Sequence, residues 1–258
     1  MHITAWHIYG CVAYCHDKTL ERVKMLGIIS GTPLLKECEV FRNVKEVCKG
    51  TEYGKVKLMI TDDIAFIARH GYGPNNHILP HIINHQANMK AFQEIGVKEI
   101  IGVNSTGSLK IALQPGSVVI PDDFIMLASY PSVFVNQAIH LAAGLDREVR
   151  VKVLRAAKAV GIDAKDGGTY WQTTGPRLET CAEIRMMSQF ADLVGMTMAS
   201  EAILAQELGL RYASVCSVDN YAHGLVGKNE LSMDQISAMA RIGGATISRL
   251  IIHYVAAM

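Results

Sequence analysis

A chain of 258 residues, half of them apolar and 19% charged, can bury one large α/β core and does not fit a disordered or nucleic-acid-coating protein. Its 25 Lys and Arg against 24 Asp and Glu leave no long-range field to gather polyanions, so any anion must be held by local geometry. No apolar run approaches the ~18 to 20 residues of a bilayer-spanning helix and no leader pattern opens the chain, so the expectation is a cytoplasmic protein with neither nucleic-acid nor membrane partners. Six cysteines lie scattered at positions 11, 15, 38, 48, 181 and 216. A chain of this size needs no disulfide framework, so reduced thiols are expected, with Cys48, Cys181 and Cys216 read as small core residues.

Residues 1–24 have no clear partner element and read as an N-terminal extension, with a single domain over 25–258. A helix there would align His7, Cys11 and Cys15 on one face, a metal-capable spacing, but coincidence in a poorly ordered tail is the stronger reading. From Leu26 short β-rich runs alternate with helical patterns. Leu26 to Ile29 is a strand ending in a turn at Ser30 to Pro33, and Val56 to Ile60 and Ile64 to Ala68 are two more strands, the second delivering Arg69 and His70. A helix is predicted over His81 to Gly96, then a buried strand over Glu99 to Asn104 and β patterns at Ser117 to Pro121 and Phe124 to Leu127. Arg147 to Val160 is an amphipathic helix, Gly168 to Gln172 a strand, Cys181 to Phe190 a helix and Leu193 to Met196 a strand. Ser200 to Leu208 is helical, Tyr212 to Val218 the last strand and Met233 to Val255 the last helix. Such alternation predicts an α/β layered fold around a mainly parallel sheet.

Three segments carry chemistry suited to a ligand with base, sugar and anion: Ala-Arg-His-Gly at 68–71, Thr-Thr-Gly-Pro-Arg-Leu-Glu-Thr at 173–180 and Gly-Met-Thr at 195–197. Together with Gly-Ile-Ile-Ser-Gly-Thr at 27–32, His-Gln-Ala-Asn at 85–88 and Asn-Ser-Thr-Gly-Ser-Leu at 104–109, they make residues 26 to 255 resemble the trimeric purine nucleoside phosphorylase and methylthioadenosine phosphorylase family. The resemblance implies a single-domain three-layer fold with a central mixed, mainly parallel twisted sheet flanked by helices. It implies phosphorolysis, in which inorganic phosphate, as co-substrate, attacks C1′ of a purine nucleoside with no metal or organic cofactor. It also implies a homotrimer in which a residue from Ser129 to His140, His140 for instance, completes a neighbour's pocket.

Carried over by position, the phosphate cradle is Thr32, Arg69, His70, Asn104, Ser105 and Thr197, hydroxyls and one guanidinium that can satisfy an anion without a basic surface. For Arg69 a surface salt bridge is the bland alternative; for His70 the reading as a merely satisfied polar residue is stronger. Glu179 and Asn220 are the catalytic pair at the base, Met196 lies against the ribose, and Leu178, Tyr221, Ala222 and Met233 complete the substrate set. Adenine-binding relatives present Asp at the Asn220 position and a small hydroxyl at the Glu179 position, whereas a carboxylate accepting from N1–H and an amide that donates to O6 and accepts from N7–H suit hypoxanthine or guanine. Leu231, Met233 and Ile236 make an apolar 5′ end, which points to 5′-methylthioinosine, with inosine and guanosine as competitors.

Pro33, the longer loop at Tyr72 to Asn76, Ser200 and Asp219 depart from the family pattern, and the loop leaves a ribose role for His77 open. Two rivals stay open as well. A nucleoside hydrolase would carry clustered aspartates for calcium, and a non-catalytic purine-binding protein would keep Glu179 and Asn220 without phosphate affinity.

Overall fold

The structure, a computed structural model, describes residues 25–258 apart from 32, 33, 35–37, 42, 43, 74, 76 and 228–231. The N-terminal extension and its His7, Cys11 and Cys15 lie outside the described residues, as do Thr32, Pro33 and Leu231. The strands are β1 (Leu26–Ser30), β2 (Lys45–Thr51), β3 (Gly54–Ile60), β4 (Ile64–Ala68), β5 (Glu99–Ser108), β6 (Val118–Ile120), β7 (Asp123–Met126), β8 (Ala164–Asp166), β9 (Thr169–Gln172), β10 (Leu193–Gly195) and β11 (Arg211–Tyr221). The helices are α1 (His85–Glu94), α2 (Arg147–Ala159), α3 (Cys181–Met187), α4 (Met198–Glu207) and α5 (Met233–Ala256).

One mixed sheet carries the molecule, in the order β2-β3-β4-β1-β5-β10-β9-β7, with β11 branching from β5 to pair β6 and then β8. β1 runs parallel to both β4 and β5, and β11 runs parallel to β5 along its length. The β1 and β4 side chains alternate between two cores, as a strand buried on both faces must. Leu26, Ile28, Ile64 and Phe66 pack with Val149 and Val153 of α2 and Ile247 and Leu250 of α5. Ile29, Ala65 and Ile67 pack with Met89 and Phe92 of α1 and Met198 and Leu204 of α4. Helices therefore cover both sheet faces, giving the three layers expected.

Three local readings change. The helix expected from His81 begins at His85, because Pro80–Ile82 forms a separate 3₁₀ turn and the Asn84 side chain caps α1 by accepting from Ala87 N–H. β2 escaped the sequence reading because Lys45–Thr51 is an almost wholly exposed strand paired with β3, so it has no apolar alternation; Cys48 lies on it and is exposed, not core. The strand expected to stop at Val218 continues to Tyr221 through a bulge between Val218 and Asn220. Of the other two cysteines read as core, Cys216 is buried and Cys181 is half-buried.

Close approach of β5 and β11 depends on Gly102, where an added Cβ would stand 1.9 Å from the Tyr212 hydroxyl. Tyr212 is fully buried and cannot step aside without leaving the carboxylate of Glu201, to which it donates at 2.8 Å. Gly102→Ala is expected to cost at least about 1–3 kcal/mol, an overpacking penalty. Thermal unfolding should register it as a midpoint lowered by several degrees, and an unchanged midpoint would refute the packing assignment.

Candidate active site

The ends of β1, β4, β5, β10 and β11 converge on one cavity of about 260 Å³, as ligand sites of open α/β sheets do. Ser30, Arg69, His70, Ser105 and Thr197 line one part of it, and Leu178, Glu179, Asn220, Ala222 and His223 another. Pro80 and α5, through Met233, Ile236 and Ala240, close it with apolar surface.

Arg69 lines the cavity but is not a free guanidinium or a surface salt bridge. Nε donates to Glu201 Oε1 at 2.6 Å, Nη2 to Glu201 Oε2 at 3.0 Å and to the Ile29 carbonyl at 2.9 Å, and Nη1 to the Val103 carbonyl at 2.7 Å. Both side chains are buried, at 3% and 0% exposure. Burial alone would lower the Arg69 pKa, but the Glu201 carboxylate overrides it and holds the guanidinium above its ordinary range. Arg69 thus supplies a fixed positive charge, and most of its donors are committed.

His70 donates Nδ1–H to the Ile78 carbonyl at 2.8 Å and stacks on His77, ring centroids 5.4 Å apart. Because a carbonyl can only accept, this bond fixes the tautomer and turns a bare Nε2 outward. Burial, and then the charge of Arg69, depress its pKa to about 4, so at neutral pH His70 is an acceptor unless an anion recharges it. The bond to Ile78 is the satisfied polar contact that the sequence favoured for His70, although the ring also lines the cavity.

Asn104 is also displaced from its expected role. Its side chain stands one layer behind the cavity wall, with Nδ2 donating to Ser214 Oγ at 2.8 Å and Oδ1 accepting from Thr197 Oγ1 at 2.9 Å. It orients Thr197, which does face the cavity. Ser105 faces the cavity too, and its Oγ–H donates to Asp219 Oδ2 behind it. As these bonds stand, the hydroxyl protons of Thr197 and Ser105 are turned away from the cavity.

At the base end Glu179, 6% exposed, accepts from Thr173 Oγ1 through Oε1 at 2.6 Å, while its backbone carbonyl accepts from His223 Nδ1 at 3.0 Å. The loop carrying it includes the cis Gly175–Pro176 bond and ends in a capping box, Thr180 with Glu183, that starts α3. Asn220 Nδ2 donates to the Tyr221 carbonyl at 2.8 Å, which sets the amide and leaves Oδ1 as an acceptor. Successive strand residues point to opposite faces, so Asn220 and Ala222 line the cavity while Tyr221 turns away and donates to the Ile111 carbonyl. The substrate role expected of Tyr221 is corrected on that ground.

The β11 bulge is what brings Asn220 inward. Val218 pairs with Thr106 and Asn220 with Gly107, leaving Asp219 as the extra residue. Ser217 and Asn220 both line the cavity although three positions apart, a phase that unbroken alternation forbids. Met196, Leu178, Met233 and Ile236 line it as expected; His140 is exposed and outside the lining.

Sequence reasoning passed over Glu201 and His223. A lone charged residue in Met198–Leu204, a stretch whose other residues are apolar apart from Ser200, had to be buried with a partner, and that was a usable signal. His223 carried none. Ser200 found its reason in the structure: its N–H and hydroxyl pair with the Gln172 amide, at 3.1 and 2.7 Å, where a proline would have no N–H.

Residues 25–256 match the phosphorylase superfamily. This chain belongs to that superfamily. It is 44% identical over 208 residues to a probable 6-oxopurine nucleoside phosphorylase of Archaeoglobus fulgidus, covering 78% of this chain and 84% of the relative. It is 38% identical over 220 residues to a probable S-methyl-5′-thioinosine phosphorylase of Methanothermobacter thermautotrophicus, covering 82% and 76%. A solved methylthioadenosine phosphorylase from an antarctic soil metagenomic library superposes with a TM-score of 0.79 at 26% identity, over 91% of this phosphorylase and 86% of that chain. Among the described residues of this superfamily member, no helix is long and apolar enough to cross a membrane.

Proposed function

We propose that this phosphorylase cleaves the N-glycosidic bond of 6-oxopurine nucleosides with inorganic phosphate, and that 5′-methylthioinosine is its preferred substrate, giving hypoxanthine and 5-methylthioribose 1-phosphate. The observation that carries the reading is the pairing of Glu179 and Asn220 on one wall of the cavity. Glu179 keeps one carboxylate oxygen on Thr173 and has the other for a ring N–H; Asn220 Oδ1 accepts from N7–H as the leaving base gains its proton. Met233, Ile236 and Ala240 favour a methylthio group over a hydroxyl, which would find no polar partner among them.

Catalysis is positioning and electrostatics: the sugar passes through an oxocarbenium-like state, phosphate attacks C1′, and the C1′–N9 bond breaks with its electrons moving into the purine. The buried charge of Arg69 stabilises the anion beside the ribose. No metal or organic cofactor enters the proposed chemistry. We place the enzyme in the cytoplasm as a homotrimer; the exposed apolar side chains Leu127, Tyr130, Val135 and Ile139 support a subunit contact along that segment.

Release of free base from 5′-methylthioinosine, inosine, guanosine and methylthioadenosine, each with and without phosphate, tests the proposal. Hypoxanthine should appear fastest from methylthioinosine and only with phosphate. Methylthioadenosine should react about 10- to 100-fold more slowly, since adenine has no N1–H for Glu179 and leaves a closed-in carboxylate oxygen unpaired. Fast adenine release would overturn the base assignment. Base release without phosphate would make the protein a hydrolase, and no release at all would make it a purine-binding protein.

A further inference from the structure

Asp219 is 2% exposed, and its Oδ1 makes no hydrogen bond of ordinary length and angle among the described residues, the Ser217 hydroxyl being the neighbour that still acts on the carboxyl group. Oδ2 meets the Ser105 hydroxyl, whose other side opens on the anion pocket. A buried carboxylate with an unpaired oxygen is costly, whereas a neutral acid with its proton on Oδ2 leaves only an ordinary carbonyl oxygen unpaired. The bond to Ser105 reads differently in the two states. An ionised Asp219 takes the hydroxyl proton, so Ser105 shows phosphate only lone pairs. A neutral Asp219 donates its own proton to Ser105 Oγ, which frees the hydroxyl to donate outward.

We propose that Asp219 works as a neutral acid that donates through Ser105 to bound phosphate, so that phosphate affinity depends on a proton held one layer behind the pocket. Asp219 is a positioning residue on this account, and the inference rests on the phosphorolytic reading above. No covalent bond changes and no proton leaves the pair; the two O–H donors simply point toward the anion in sequence.

The surroundings favour the neutral form. Burial pushes the Asp219 carboxyl up to about 6, with the Ser105 and Ser217 hydroxyls pulling it back, and among the described residues no Lys, Arg or His is close enough to shift it. On its own strand the Cys216 thiol is pushed up to about 12 and stays uncharged. From α5, Gly243 packs over Oδ1, with its added-Cβ position 3.4 Å away, and among the described residues the cavity on the far side, bounded by Pro115, Gln235 and Met239, presents no other charged side chain. A phosphate dianion beside Ser105 would hold the proton on more tightly still, and by reciprocity ionising Asp219 weakens phosphate binding.

The sign is therefore set: affinity is full below about pH 6, where Asp219 is neutral, and falls as pH rises through that value. The test is the KM for phosphate, at saturating nucleoside, of the wild type, Asp219→Asn and Ser105→Ala between about pH 5.5 and 8. Asn at 219 imitates the neutral acid by donating its amide N–H to Ser105, and the titration of phosphate itself cancels in the ratio of the two proteins. The wild-type to Asp219→Asn ratio should be near one at the acid end and rise about tenfold toward the alkaline end, the limit for one linked proton being tenfold per pH unit. Ser105→Ala should weaken phosphate strongly at low pH and little at high pH. A ratio that does not change with pH, or a Ser105→Ala effect equal at both ends, would overturn the proposal. Should the wild type release no base with phosphate, the phosphorolytic reading fails separately, and calorimetric titration of the same proteins with inorganic phosphate still decides the proton linkage.

Discussion

Glu201→Gln is expected to destabilise the protein by about 3–5 kcal/mol, the cost of leaving a buried cation without its counter-charge. The exchange preserves shape, so packing loss cannot account for the effect. Glu201 anchors Arg69 through two hydrogen bonds at 2.6 and 3.0 Å and accepts from Tyr212 at 2.8 Å, all at full burial. Burial pushes the Glu201 pKa up and Arg69 pulls against it; with a guanidinium that cannot deprotonate beside it, the carboxylate stays as the counter-ion. Chemical denaturation should show a reduced midpoint, and the thermal midpoint should fall by on the order of 10 °C. The double replacement Arg69→Met with Glu201→Leu should recover only part of the lost stability, because it removes the unpaired charge but leaves the Ile29 and Val103 carbonyls and the Tyr212 hydroxyl without their partners. Phosphorolysis should not recover with it, since the charge beside the phosphate is then gone. A Glu201→Gln protein as stable as the wild type would show that the pair is not the buried charge clamp described here.

Asn220→Ala should lower kcat/KM for 6-oxopurine nucleosides by about 10²- to 10³-fold, mostly in kcat, because its Oδ1 gains a proton donor only as the base departs. Glu179→Gln should lose less, about 10- to 100-fold, and lose it in KM as well, since Glu179 meets the N1–H of substrate and transition state alike. The contrast is the informative part. Both side chains line the same cavity, but Asn220 is held by the Tyr221 carbonyl and Glu179 by Thr173 and His223. Steady-state kinetics on both variants with one nucleoside would distinguish them. Equal losses confined to KM would make both residues binding contacts and remove Asn220 from the chemical step.

Elements with a strong period were legible without coordinates. The helices expected over Arg147 to Val160 and Met233 to Val255 from their apolar spacing are found at Arg147–Ala159 and Met233–Ala256, where the structure adds the side-chain caps Asp146 and Ser232. The motifs at Arg69, Glu179 and Thr197 were legible through the family resemblance they carry, with the strand ends at Arg69 and Thr197 adding a local reason for an anion site. β2 was not legible, since an exposed edge strand buries no alternating face, and neither was the boundary at His85, where a 3₁₀ turn carries the same apolar residues as a helix would.

What the sequence by itself determined, then, is the layered α/β class and, through its motifs, the phosphorylase family. What only the tertiary structure decided is the state in which the motif residues are held. Arg69 is spent on Glu201, Asn104 stands behind Thr197, and His70 has its donor turned to the Ile78 carbonyl, because hydrogen bonds formed only in the folded chain fix donors and protons that a linear reading leaves free. The β11 bulge is the clearest case. One unpaired residue at Asp219 reverses the phase of the strand, carrying Asn220 into the cavity, turning Tyr221 out and placing a carboxyl behind Ser105. Register is a property of two paired strands, so no single strand's sequence contains it.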